Sequence, residues 1–289
     1  MAADSLYRKI RNKLYDWLSF EPPPEEVMPY DFNRLKHELR PGDVLLIQGR
    51  SRISSVIRTI TQSTWTHAVL YIGRQVDIED ENIIDVIHEH SDVKEKTRLI
   101  VEDLLDRGTV IMPLSTYRDH HIRICRPIGL TPNDTALVIQ HVLSSLGKPY
   151  NVRQLFDLAR FLLPWTILPR RWGSTLFRTR SGEPESGICS SLIAEAFESV
   201  KFPVLPFVKS DDKFGLEIFE RNPYLFAPKD FDYSPYFDII KYPLFNPDEP
   251  LPYYRRLPWS RTGLMYQDNG IVSAPRTRKV KKVDNEGTS

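Results

Sequence analysis

The sequence contains few cysteines, no long apolar run and almost no net charge. Its two cysteines, Cys125 and Cys189, are too few for the disulfide framework of a small secreted domain or for a cysteine-rich zinc site. No stretch approaches the ~20 apolar residues that a membrane-spanning helix requires. The 39 basic and 38 acidic residues nearly cancel, so no global field attracts nucleic acid and no nucleic-acid partner is expected.

Charged side chains interrupt residues 1–20, so this stretch does not have the apolar core of a signal peptide and a cytoplasmic location is expected. Its apolar residues recur at helical spacing among basic residues, which predicts a short basic amphipathic helix. Such a helix either packs on its own domain or lies in a membrane interface. Pro22 to Pro24 end it, and residues 1–38 are interpreted as this helix and a proline-rich linker.

Short runs rich in Val and Ile follow, several with period-two alternation, as half-buried antiparallel strands require. The predicted strands are residues 43–48, 67–72, 82–88, 98–102, 109–114 and 121–126. Apolar residues of segment 51–61 share one helical stripe, which places a helix between the first two strands. The first half of the chain is therefore expected to be β-rich.

Two further helices are predicted over residues 131–147 and 188–200, the first with Thr131 as N-cap and Pro132 at its first position. Between them, residues 155–172 are crowded with apolar and aromatic side chains but are broken by proline. This segment is either buried core or a lipid-facing wall of an active site. Residues 201–260 suggest extended segments, and the remaining C-terminal residues form a basic tail.

Cys189 falls in the first turn of the last predicted helix, where unpaired backbone N–H groups and the helix dipole favour a thiolate and can hold an oxyanion. The alternative is a small buried apolar residue. A thiolate nucleophile needs a base within hydrogen-bond reach. His67, which opens a predicted strand after Trp65 and Thr66, is the candidate base.

Three segments together resemble a known superfamily: Pro41-Gly-Asp-Val-Leu-Leu, the Thr-Trp-Thr-His-Ala-Val-Leu-Tyr-Ile-Gly run around His67, and Gly187-Ile-Cys-Ser-Ser-Leu-Ile-Ala-Glu-Ala-Phe. They resemble the permuted NlpC-type papain-like superfamily, in particular its YiiX-like branch, and more distantly lecithin:retinol acyltransferase. In the permuted branch the histidine precedes the cysteine, as it does here. The resemblance extends over residues 39–242, interpreted as the catalytic domain, with 243–289 a proline-rich extension and mobile basic tail.

The resemblance implies an α+β fold of circularly permuted papain-like type, in which an antiparallel β-sheet or small barrel packs against helices, including the cysteine helix. It also implies a third catalytic residue on a strand after the histidine strand. Glu102 is favoured, because the segment after it continues the family pattern. Glu89 and His88 remain alternatives, since residues 74–97 form a longer stretch than the compact family pattern has.

The implied activity is that of a cofactor-free cysteine hydrolase or acyltransferase that acts on an amide or ester through an acyl-enzyme on Cys189. Its substrate is expected to be a lipid or other hydrophobic acyl compound, because segment 155–172 directly precedes the cysteine. A cysteine peptidase or amidase is the alternative. A non-catalytic lipid- or membrane-binding module, with peripheral membrane contact through residues 1–20 and 155–172, is a further one.

Other enzyme classes have weaker support. A metal hydrolase would need His88 and His90 to join His67 on one face, but an acidic cluster surrounds them. The Gly-x-Ser-x-Gly elbow of serine hydrolases is absent from the sequence, as are the glycine-rich loops of Walker and Rossmann nucleotide sites.

Overall fold

The computed structural model describes residues 13, 16–23, 30–78, 81–91, 94–104, 107–147, 189–211 and 215–243. They lie in the first of two compact units, residues 1–244, and the second comprises residues 245–289. The predicted segment 155–172 and nearly all of the predicted tail lie outside the described residues, as does most of the predicted N-terminal helix, of which residues 16–19 are helical.

The described secondary structure follows most of the predicted order. The helices are α1 (Phe32–Glu38), α2 (Arg52–Thr61), α3 (Glu81–His90), α4 (Pro132–Leu143), α5 (Cys189–Ser199) and α6 (Pro228–Tyr233), with 3₁₀ turns at Gln75–Asp77, Leu114–Tyr117 and Pro223–Leu225. The strands are β1 (Val44–Gln48), β2 (His67–Arg74), β3 (Arg98–Leu104), β4 (Gly108–Pro113), β5 (His121–Pro127), β6 (Phe207–Asp211), β7 (Gly215–Phe219) and β8 (Phe237–Ile240). Within this described part of the chain, no helix has the length and apolar character needed to cross a membrane.

One antiparallel sheet organises the fold. Six of the described strands pair in the order β4-β3-β2-β1-β5-β8, whereas β6 and β7 form a separate hairpin. In the centre of the sheet, Val44 of β1 pairs with Leu70 of β2 on one side and with Cys125 of β5 on the other. The predicted α+β class is confirmed. The sequence analysis allowed either an antiparallel sheet or a small barrel, and the described strands form a sheet.

Side chains of the central strands alternate between two hydrophobic layers. Leu46 and Leu70 face the layer that contains α4 and α5, with Phe197 of α5 fully buried there. Leu45 and Val69 face the opposite layer, which contains α1. Because both faces of β1 and β2 are buried, a one-residue slip would exchange the two layers, so the pairing register is tightly fixed.

The hairpin of β6 and β7 exposes apolar side chains. Val208 pairs with Ile218 and lies on the same face as Leu216, and these side chains are 57%, 66% and 73% exposed. Extended structure was predicted for residues 201–260, and this hairpin and β8 confirm it for their residues. Residues 228–233 instead form α6, whose Phe231 is fully buried.

The strand predicted over residues 82–88 is wrong, because these residues belong to helix α3. Ile83 and Ile87, four residues apart, are 5% and 0% exposed and contact the same hydrophobic layer. A short apolar run fits either periodicity, and burial at i and i+4 identifies the helix only once the fold is known. Helix α1 also was not predicted, since it lies within the segment interpreted as a linker.

Replacing Asp43 by Ala is expected to lower the free energy of unfolding by roughly 3 kcal/mol, because it leaves the partly buried Arg126 without a carboxylate partner. Arg126 donates to both Asp43 oxygens, at 2.9 and 2.8 Å, and the Asp43 side chain is 1% exposed. Urea unfolding measures the loss. Asp77→Ala is the matched control, since Asp77 binds Arg74 in the same two-pronged way at the surface. Equal losses in the two variants would contradict this prediction.

Candidate active site

Cys189 is the first residue of α5, and the packing of that helix fixes its position. Leu192, Ile193 and Phe197 are at most 3% exposed and hold the helix against β2 and β3. The Ser190 hydroxyl donates to the carbonyl oxygen of Phe226 at 2.7 Å, which ties the first turn to the segment before α6. The thiol therefore lies at a fixed helix N-terminus, and Cys189 is 5% exposed.

His67 is the first residue of β2, paired with Ile47 of β1. The turn before it is fixed by Thr66, whose hydroxyl oxygen accepts a hydrogen bond from the backbone N–H of Gly49 at 2.9 Å. A Cβ at position 49 would lie 2.2 Å from the Ser54 hydroxyl oxygen, so any other residue here would displace the Ser54 side chain. Trp65 donates its indole N–H to Asp232 at 3.2 Å, which anchors the segment from the other side.

Glu102 lies on β3, beside the histidine strand. Alternation along the strands puts His67 on the sheet face of Val69 and puts Glu102 on the face of Ile100, which belong to the same hydrophobic layer. The ring nitrogen Nε2 of His67 and Oε2 of Glu102 are 2.6 Å apart. The His67 side chain is 18% exposed, whereas that of Glu102 is only 1% exposed. A buried carboxylate thus fixes the orientation of a partly accessible imidazole.

The structure brings Cys189, His67 and Glu102 together. Cys189 lies close enough to the His67 ring for its side chain to raise the pKa of the imidazole, and Glu102 contacts the ring at Nε2. Burial disfavours the imidazolium, but the negative charges of Cys189 and Glu102 and their hydrogen bonds outweigh it and raise the pKa of His67 well above its ordinary value. This charge balance favours the protonated, imidazolium form of His67.

Tyr117 is a member of the site that the sequence analysis did not identify. It ends the 3₁₀ turn after β4, and its hydroxyl donates to Oε2 of Glu102 at 2.5 Å. Burial and the negative charge of Glu102 raise the pKa of Tyr117 well above its ordinary value, so the phenol stays neutral and remains a donor. Nothing in the local sequence marks this tyrosine, because the contact joins two separate elements.

Asp103 was also missed. It is 3% exposed, and its Oδ1 accepts a hydrogen bond from the Thr109 hydroxyl. Its other oxygen, Oδ2, has no hydrogen-bond partner in the described structure. Burial raises the pKa of Asp103 to about 6, with a smaller contribution from Glu102, while Thr109 and His67 act in the opposite direction. A second buried carboxyl, with a raised pKa, therefore lies close enough to interact with His67 and Glu102.

The alternatives to Glu102 lie elsewhere. His88 and Glu89 are exposed residues of α3, and the His88 ring contacts the side-chain amide of Gln75 rather than His67. His90 lies on the same helix, and its ring contacts the backbone carbonyl oxygen of Val86. Because both histidines are helical, they do not share a strand face with His67. The described residues contain no group of three or more His, Cys, Asp or Glu side chains that could hold a metal ion.

A family model described as "Permuted papain-like amidase enzyme, YaeF/YiiX, C92 family" matches residues 38–158. The match confirms the resemblance to the permuted papain-like, YiiX-like family, and it supports a cysteine hydrolase or amidase. It includes His67 and Glu102 but ends before Cys189, so the placement of the cysteine depends on the geometry of α5 alone.

A crystal structure of metalloprotein yiiX from Escherichia coli O157:H7 aligns with 71% of this chain and 98% of its own, at 14% sequence identity and a TM-score of 0.42. No curated protein matches the sequence.

Iodoacetamide at neutral pH is expected to alkylate Cys189 much faster than Cys125, and His67→Ala is expected to slow the Cys189 reaction roughly tenfold or more. Cys125 is 0% exposed, and burial raises the pKa of its thiol. Mass spectrometry of digested protein measures both rates. His37→Ala, an exposed histidine of α1, is the control. Equal rates in wild type and His67→Ala would contradict the contact between His67 and the thiol.

Asp103→Asn is expected to stabilise the protein above about pH 6 and to change little near pH 4. Because the pKa of folded Asp103 is about 6 and the unfolded value is about 4, the stability that its protonation contributes is lost as pH rises between these values. The neutral amide avoids this loss, a gain of roughly 2 kcal/mol at pH 7.5. Urea unfolding at both pH values measures it, with the exposed Asp238→Asn as control. A gain that is equal at both pH values would argue against ionisation of Asp103 as the cause.

Proposed function

We propose that this protein hydrolyses an amide or ester bond through an acyl-enzyme on Cys189, with His67 as general base and Glu102 as the group that orients it. The observation that carries the proposal is the position of the His67 ring, with Glu102 at 2.6 Å from one nitrogen and with Cys189 near enough to raise the pKa of the imidazole. A nucleophile, a base and a third group that orients the base are the elements of covalent acyl transfer.

In the first half of the reaction, the proton of the Cys189 thiol resides on His67 and the thiolate sulfur attacks the substrate carbonyl carbon. The carbonyl oxygen becomes an oxyanion, which the backbone N–H groups at the start of α5 can stabilise. His67 then donates its proton to the leaving amine or alkoxide as the bond to the carbonyl carbon breaks. The product of this half is a thioester on Cys189.

In the second half, neutral His67 removes a proton from a water molecule, and the hydroxide oxygen attacks the thioester carbonyl. The sulfur leaves as thiolate, the carboxylic acid is released, and the imidazolium is restored beside the thiolate. An alcohol or amine in place of water would make the same chemistry an acyl transfer. Glu102 orients the His67 ring in both halves and stabilises the imidazolium each time it forms, because the carboxylate contacts Nε2.

For the substrate we propose a hydrophobic acyl group joined through an amide or ester. The description of the matching family as amidases supports an amide bond. The apolar and aromatic residues of segment 155–172, which precede Cys189 in the sequence, support a hydrophobic acyl part. A peptide amide is the alternative, since the family description names no acyl group.

A series of fluorogenic acyl amides, from acetyl to dodecanoyl, together with a peptide amide that carries the same leaving group, tests this preference. We expect kcat/KM to rise with chain length, by up to roughly fourfold for each fully buried methylene. A flat series with faster turnover of the peptide would overturn the hydrophobic-acyl preference while leaving the reaction type intact. Product analysis with an added alcohol separates hydrolysis from transfer.

Cys189→Ala is expected to abolish turnover, because it removes the nucleophile. Cys125→Ala is the matched control, since it also removes a thiol from a small buried position but lies on β5. Its turnover should remain close to that of the wild type. Thermal unfolding of each variant verifies that it is folded. Turnover that persists in Cys189→Ala would contradict the proposed mechanism.

A further inference from the structure

The Glu102 carboxylate depends on two hydrogen-bond donors. Its Oε2 contacts Nε2 of His67 at 2.6 Å and accepts from the Tyr117 hydroxyl at 2.5 Å. Glu102 as a whole is 2% exposed, so bulk water does little to stabilise its charge. A buried anion is costly unless it is hydrogen-bonded, and bonds to a charged acceptor are stronger than neutral ones. The Tyr117 hydroxyl is therefore one of two side-chain donors that hold the Glu102 carboxylate beside His67.

The ring of Tyr117 is held by a neighbouring histidine. Tyr117 and His120 pack edge to face, with ring centroids 5.2 Å apart and an interplanar angle of 80°. The backbone N–H of His120 donates to the carbonyl oxygen of Tyr117 at 3.1 Å, so the two residues share one turn. His120 is itself 6% exposed. The position of the phenol hydroxyl thus depends on the position of the His120 ring.

His120 is in turn fixed by Glu21, a residue of the N-terminal segment. Nε2 of His120 lies 2.8 Å from Oε2 of Glu21, and the other Glu21 oxygen accepts from the backbone N–H of Arg50 at 3.1 Å. Burial favours protonation of Glu21, but its bonds to His120 and Arg50 outweigh that effect and lower the pKa of Glu21. An ionised carboxylate therefore anchors His120. Arg50 also donates to the carbonyl oxygen of Asp119, one residue before His120.

We infer that Tyr117 is a positioning residue for Glu102. Glu21 holds Tyr117 in place through His120, so the segment containing residues 16–23 supports the contact between Glu102 and His67. This inference rests on the proposed function for its catalytic meaning. Tyr117 acts on the reaction only through Glu102, and Glu21 only through His120 and Tyr117. The N-terminal segment is thereby connected to the site by a continuous series of contacts from Glu21 to His67.

Tyr117→Phe tests the first link, because it removes only the hydroxyl. With one donor fewer, the Glu102 carboxylate loses part of the hydrogen bonding that stabilises it beside His67. We expect the acidic limb of the pH profile of Cys189 alkylation to move to higher pH by about one unit. Tyr242→Phe is the matched control, since Tyr242 is also buried and its hydroxyl donates to the backbone carbonyl of Ile122. A profile of Tyr117→Phe that coincides with those of wild type and Tyr242→Phe would overturn the inference.

Glu21→Ala tests the second link. It should move the acidic limb in the same direction by a smaller amount, and adding it to Tyr117→Phe should produce no further shift, because both changes act on one route. Glu220→Ala, which breaks a surface pair with Lys201, is the control and should leave the profile unchanged. Additive shifts in the double variant, or no shift in Glu21→Ala, would refute the role assigned to Glu21.

A spectroscopic measurement separates this inference from the proposed function. The proton on Nε2 of His67, shared with Glu102 over 2.6 Å, should give a far-downfield proton NMR signal that Glu102→Gln abolishes. As the pH is lowered, we expect this signal to disappear at a pH about one unit higher in Tyr117→Phe than in wild type. If Cys189 were unreactive in wild type, the proposed function would fail while this signal still decided the role of Tyr117. Identical signals in the two proteins would refute that role.

Discussion

The candidate active site depends on one buried group, the carboxylate of Glu102. It lies on β3, next to the histidine strand, and is almost completely inaccessible, so its charge is stable only while protein groups donate to it. Those groups are the imidazole of His67 and the phenol of Tyr117, which come from different elements. The two contacts therefore connect β2, β3 and the turn after β4 at a single buried carboxylate. The thiol of Cys189 then meets an imidazole whose orientation is already set.

The sheet fixes the positions of these side chains, because its central strands are packed on both faces. With Leu45 and Leu46 of β1 fully buried in opposite layers, no slip of the strands is compatible with the core. His67 opens β2 beside β1, while β3 holds Glu102 on the other side of β2. Helix α5 packs across these strands and presents its first residue to the site. The geometry of the three side chains is thus a consequence of the packing of the whole domain.

Much of the secondary structure could be predicted from the sequence, and the predictions that were wrong or missing have physical causes. Strands such as residues 67–72 have strong β-forming composition and were found, whereas residues 82–88 carry an apolar run that suits a helix equally well. His67 and Cys189 were proposed as base and nucleophile because a predicted strand start and a predicted helix start give each a chemical context, and the structure brings them close together. Glu102 came from the family resemblance. Tyr117 and Asp103 escaped notice, since their importance arises from contacts between elements that no local pattern encodes.

Along the chain, the segment that holds His67 and Glu102 is separate from the helix that holds Cys189. The strands that hold His67 and Glu102 are complete by Pro113, and the family match ends at residue 158, before the cysteine helix begins. The candidate base and the candidate nucleophile are therefore encoded in separate parts of the chain, and the match to the family covers only the part that holds His67 and Glu102.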